Sequence, residues 1–129
     1  MIVLDASALL ALRRGHRNLA LMVDQAAASP VPHFVVPALS LLQAETDDAG
    51  TGRYALSLPA LHVEDLGQVA ALTVGEVVRE GHGSPDTCHA IECSTPSLTR
   101  PDGAFILTDR EDDYPPGIIA ISIDHPGLS

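Results

Sequence analysis

Lysine and tryptophan are both missing from this chain, and seven arginines face seventeen aspartates and glutamates, a formal net charge of −10. Such a balance argues against broad nonspecific affinity for nucleic acid, which comes mainly from Lys and Arg meeting phosphates. The lack of lysine also counts against a receiver-like or phosphatase-like aspartyl-phosphate chemistry, which needs a lysine for the phosphoryl group. Aromatic residues make up only 3% of the chain, so any core must be built from Leu, Val, Ile and Ala. No apolar run reaches the roughly 18 residues of a membrane span. The N-terminus shows no basic region followed by a cleavage site, and a cytoplasmic address is the expectation.

Cysteine is nearly absent. Cys88 and Cys93 are the only two, and their spacing suits neither a disulfide framework nor a zinc site, so both read as small core residues. His16, His33, His62, His82, His89 and His125 are dispersed without an HExxH-type pattern. His89 reads as a packing histidine.

What is present is an alternation of strand and helix signals in a chain of 129 residues, the length of one domain. Ile2-Val3-Leu4 reads as a strand buried on both faces, ending at the carboxylate of Asp5, with Ser7 as the N-cap of the next helix. Helices are expected over Ala8–Arg14, stopped by Gly15, and over Leu19–Ala28, stopped at Ser29-Pro30. His33-Phe34-Val35-Val36 is a second strand, ended by Pro37, which opens a helix over Ala38–Asp47. Asp48-Ala49-Gly50-Thr51-Gly52 has loop composition.

Leu61-His62-Val63 is a weaker strand signal, and apolar residues from Leu66 to Val78 recur at helical spacing up to Gly81-His82-Gly83. Ser84-Pro85-Asp86 opens a helix that runs to about Ser94, and Thr95–Gly103 is a linker. Ala104–Thr108 and Ile118–Ile123 close the series as strands. Strands separated by helices predict an α/β fold with a parallel sheet and right-handed crossovers.

In a parallel sheet the carboxyl ends of all strands share one edge, and ligands bind there. Asp5 and Asp109 both follow strands at that edge. Glu45, on the helix after the second strand, and Asp86, at a helix start, are their natural companions. Four acids gathered in one pocket repel one another unless a cation neutralises them. An all-oxygen donor set suits Mg²⁺ or Mn²⁺, and such ions promote hydrolysis of phosphodiesters. Arg13, Arg14 and Arg17 form the one basic cluster and read either as a solvated helix end or as phosphate contacts; Arg110 is a further candidate contact.

Four segments in order resemble the PIN-domain ribonucleases, and among them the VapC-like toxins of type II toxin–antitoxin pairs. They are Ile2 to Leu10 with Asp5 and Ser7, Val36 to Glu45, Ser84 to Ala90 with Asp86, and Leu107-Thr108-Asp109 followed by Tyr114. The match runs nearly end to end. The resemblance implies a three-layer α/β/α domain with about five parallel strands, metal-dependent cleavage of RNA, homodimerisation and an antitoxin protein as partner. It also implies that Asp5, Glu45, Asp86 and Asp109 hold the metal directly or through water, and that Ser7 and Thr108 orient them. A PIN-like binding or regulatory module with weak or absent catalysis is the alternative, motivated by the acidic composition.

Overall fold

The central strand of the sheet is the first one in the chain. A computed structural model describes residues 1–29, 33–98 and 100–128. Its strands are β1 (Ile2–Leu4), β2 (Phe34–Pro37), β3 (Leu61–Glu64), β4 (Phe105–Thr108) and β5 (Ala120–Ser122). They pair in the order β3-β2-β1-β4-β5, and every pair is parallel. The chain builds outward from β1 to β2 and β3, then returns to place β4 on the other side of β1. That reversal makes the β1/β4 boundary the topological switch point, where open sheets of this kind leave a crevice at their carboxyl edge.

The helices are α1 (Ala6–Arg13), α2 (Arg17–Ala26), α3 (Ala38–Asp47), α4 (Thr51–Leu56), α5 (Gln68–Arg79) and α6 (Pro85–Ser94). Successive strand residues point to opposite faces, and the core divides accordingly. Leu4, Phe34, Val36 and Leu107 pack with Leu9, Leu12, Leu19 and Val23 of α1 and α2 and with Ala55 of α4. Val3, Val35 and Ile106 pack with Ala90 and Cys93 of α6 on the other face. The result is a three-layer α/β/α arrangement around one five-stranded sheet. Its three inner strands, β1, β2 and β4, are mainly buried on both faces because both are covered, whereas the edge strands β3 and β5 are not. Among the described residues, no helix is long and apolar enough to cross a membrane.

Several local expectations give way. Asp5, rather than Ser7, is the N-cap of α1: its carboxylate accepts the Ala8 N–H, and this draws Ser7 into the first turn. The segment assigned to a loop over 48–52 runs into α4, opened by Gly50 in the left-handed region at φ 97°. Of the expected stop of α2 at Ser29-Pro30, Pro30 lies outside the described residues; the helix ends earlier, at Ala26. The apolar periodicity of α5 does not mark a core face: Val74 is its one buried residue, and Val69 and Leu72 are exposed. α5 lies against α6.

Gly103 sets the return from α6 into β4. Its φ of +72° and its approach to Ser94 leave no room for a side chain, since a Cβ there falls 2.6 Å from the Ser94 carbonyl oxygen. The same carbonyl accepts the Ala104 N–H at 2.9 Å, which aims β4 into the sheet.

Candidate functional site

Register places the site. Leu4 of β1 stands beside Leu107 of β4, so the residues that follow, Asp5 and Thr108, meet at the switch point. The Asp5 side chain is buried, and three donors converge on it. The Ser7 hydroxyl at 2.7 Å and the Ala8 N–H at 3.0 Å both reach Oδ1. The Tyr114 hydroxyl reaches Oδ2 at 2.7 Å. A carboxylate removed from water needs such partners.

Ser7 is the hub of this network. Its oxygen also accepts the Asp109 N–H at 2.8 Å and lies 3.1 Å from the Thr108 hydroxyl. A hydroxyl has one proton, and that of Ser7 goes to Asp5, so Thr108 is the donor in the Thr108–Ser7 pair. Thr108 in turn accepts the Arg110 N–H at 3.0 Å. Protons therefore point in one direction, from Thr108 through Ser7 to Asp5. The chain of bonds joins the end of β1 to the end of β4.

Tyr114 follows a single 3-10 turn over Glu111–Asp113. Burial pushes its hydroxyl well above the usual phenol range, and the charge of Asp5, its hydrogen bond and the charge of Asp86 add to this, while Arg110 opposes it. The phenol therefore remains a donor. Asp86, on the first turn of α6, is partly buried, and its Oδ1 accepts the Ser84 hydroxyl. Asp109 is exposed and lines a cavity of about 300 Å³ with Arg14, His16 and Asp124.

Glu45 is committed elsewhere. Its carboxylate accepts the Gly50 N–H at 3.0 and 3.1 Å and the Gly52 N–H at 2.8 Å. These are the free donors at the start of α4, where an anion is favoured. Those two hydrogen bonds, Gly50 first, hold the Glu45 carboxyl below its ordinary range, with smaller help from Arg53 and Arg13. It borders a cavity of about 670 Å³ lined by Leu41, Leu42 and Leu56.

Of the arginines, Arg13 lies over the Tyr54 ring at 5.5 Å from its centroid. Arg14, Arg17 and Arg110 are exposed. Asp5, Ser7, Thr108 and the Asp109 backbone are thus joined directly, Asp86 acts on them through its charge on Tyr114, and Glu45 caps α4.

Among the described residues, the one set of three metal-ligating side chains with ligand atoms within 4.8 Å of one another is His89, Glu92 and Cys93. The four acids are not drawn together to that degree. The Tyr114 hydroxyl has no signal in the sequence pattern, since its loop position carries no periodicity. For Cys93 the readable signal is not its spacing from Cys88 but His89, four residues before it on one helix. Compared with protein-family models, with curated proteins and with solved structures, the chain matches none.

Proposed function

We propose that this chain is a divalent-metal-dependent endoribonuclease of the PIN type, the toxin of a type II toxin–antitoxin pair acting in the cytoplasm. The observation that carries the reading is the buried Asp5, fixed by Ser7 and Thr108 at the switch point of a parallel sheet. The motifs containing Asp5, Glu45, Asp86 and Asp109 support it, as does their resemblance to the family.

The donor chemistry of Asp5, Asp86 and Asp109 fits Mg²⁺ or Mn²⁺, since all are hard carboxylate oxygens. Glu45 does not join them while it caps α4. A bound ion supplies an activated water and charge neutralisation for the phosphate. The residues of the chain do the positioning. Ser7 and the Ala8 N–H hold Oδ1 of Asp5 in one orientation, and Thr108 holds Ser7. Arg14, Arg17 and Arg110, exposed near this edge or on the adjoining helix, are the groups available to RNA phosphates, with Arg13 as a further candidate. Homodimerisation and capture by an antitoxin protein belong to the same reading.

The test is cleavage of RNA in Mn²⁺ or Mg²⁺ by the wild type and by Asp5→Asn. Cleavage by the wild type alone is expected; equal cleavage by both ends the assignment.

A second reading, a PIN-like module that binds or regulates without cutting, is favoured by two observations. The Tyr114 hydroxyl occupies Oδ2 of Asp5, and Glu45 is engaged by the Gly50 and Gly52 N–H groups at the start of α4. This reading expects no stabilisation by Mn²⁺ on heating, whereas a working carboxylate site is stabilised by ligand linkage.

A further inference from the structure

On the opposite face of the sheet from α1, α6 carries a second group of ligating atoms. His89, Glu92 and Cys93 fall at i, i+3 and i+4 and so share one helix face. The Glu92 Oε2 lies 4.0 Å from His89 Nε2 and 3.7 Å from Cys93 Sγ. His89 and Cys93 have no exposed surface, while the Glu92 side chain retains 30% of its own.

His89 makes this more than a coincidence of spacing. Its Nδ1 accepts the Leu39 N–H at 3.2 Å, which fixes the ring from the side away from Glu92. The neutral imidazole then carries its proton on Nε2. That atom is buried, has no hydrogen-bond partner, and is aimed at the Glu92 carboxylate beyond hydrogen-bonding reach. A buried polar atom left without a partner is destabilising. Metal-bound histidines keep their proton on the nitrogen that does not face the ion, so binding through Nε2 requires the Nδ1–H tautomer and release of the Leu39 N–H.

We propose that His89, Glu92 and Cys93 form a binding site for a zinc-class divalent cation, distinct from the carboxylates around Asp5. One nitrogen, one sulfur and one oxygen suit a borderline-soft ion and do not suit Mg²⁺. Around a tetrahedral ion these donors stand about 3.3–3.6 Å apart, so closure from 4.0 and 3.7 Å is small. Binding breaks the Cys93 S–H bond, forms a sulfur–metal bond and releases that proton to solvent; His89 frees its Nε2 lone pair by moving its one proton, through solvent, from Nε2 to Nδ1, and in doing so gives up the Leu39 contact. Glu64, at the end of β3, acts electrostatically on both His89 and Cys93 and is paired with Arg100 at 3.5 Å. With the ion and a thiolate present, these charges balance. Glu92 and Glu64 retain the solvent exposure through which an ion enters.

The site is independent of whether the protein cuts RNA, and its test does not use activity. Metal-free protein is titrated with Co²⁺ and, separately, with Zn²⁺ against a competing chelator. One equivalent of Co²⁺ is expected to give a thiolate-to-cobalt charge-transfer band that excess Mg²⁺ leaves unchanged. The band is expected to vanish in Cys93→Ser and to persist in Cys88→Ser. Glu92→Gln, at a partly exposed position, is expected to weaken Zn²⁺ binding at least about tenfold. A wild-type cobalt spectrum without the thiolate band overturns the proposal, as does a band that survives in Cys93→Ser. If Cys93→Ser fails to fold, Glu92→Gln decides: unchanged Zn²⁺ affinity in that variant overturns the site.

Discussion

The Tyr114 hydroxyl donates to the Asp5 carboxylate at 2.7 Å although the two residues are 109 positions apart in the chain. The phenol closes over an acid that Ser7 and Ala8 hold from the other side. Burial and the neighbouring acids keep the phenol protonated, so Tyr114 stays the donor in this contact.

Tyr114→Phe removes this donor and keeps the ring. Hydrogen bonds to charged groups contribute about 1.5–3 kcal/mol, and a loss of that order is expected in urea unfolding, with an unchanged denaturant slope. The same substitution frees Oδ2. If Asp5 anchors a divalent ion, Mn²⁺ stabilises this variant more than the wild type on heating; an identical response in both removes Tyr114 from the competition for Oδ2.

Ser7→Ala leaves the Asp109 N–H and the Thr108 hydroxyl without their acceptor. A loss of about 1–3 kcal/mol is expected. Because Ser7 and Tyr114 act on one carboxylate, the double variant with Tyr114→Phe departs from additivity. Strictly additive losses in the two single variants would show that the bonds are independent.

Glu45 gives a pH dependence whose sign follows from its depressed pKa. The folded value lies below the ordinary carboxyl value of 4.5, so the unfolded chain binds the proton first as pH falls. Its stabilising contribution is complete above about 4.5 and is lost as pH drops through the folded value. The amide signals of Gly50 and Gly52 should shift with a midpoint under 4.5, and Glu45→Gln should abolish the shift. A midpoint at or above that value contradicts the capping of α4 by this side chain.

Gly103→Ala and Gly15→Ala separate close contact from backbone conformation. Both glycines have positive φ, but a Cβ at Gly15 meets nothing within 4 Å, whereas at Gly103 it meets the Ser94 carbonyl at 2.6 Å. The strained conformation alone costs about 1–2 kcal/mol. Gly103→Ala is expected to lose clearly more than Gly15→Ala in equilibrium unfolding. Equal losses show that the Ser94 contact relaxes freely.

The sequence made the alternation of elements readable because doubly covered strands are short and continuously apolar, as in Val35-Val36 and Ile106-Leu107. The parallel sheet and the placing of Asp5 and Asp109 after β1 and β4 follow from that. The direction of side chains was less accessible. Ser7 and Asp5 are equally good caps by type, and only the geometry of the first turn decides between them. Glu45 sits at the expected helical position, yet the glycine donors that bind it belong to α4, whose Gly-rich start resembles a loop. The apolar stripe of α5 has helical period without burial, since periodicity reports a face and not what covers it. His89 read as a packing residue, and it is packed; what spacing conveyed poorly was that one of its nitrogens has no partner.

The position of β1 in the middle of the sheet has a consequence for how the protein assembles. One neighbour of this strand, β2, comes from the first third of the chain, while the other, β4, comes from its last quarter. The Ser7–Asp109 bond spans 102 positions, so it closes one of the longest loops in the fold and is entropically late. A chain emerging from the ribosome can pair β1 with β2 while Asp5 still faces water. Asp5 gains its phenol only once β4 and the 3-10 turn before Tyr114 are in place. Burial of this carboxylate thus requires both ends of the chain, and a ligand that recognises its fixed geometry distinguishes the folded domain from forms in which β4 has not docked.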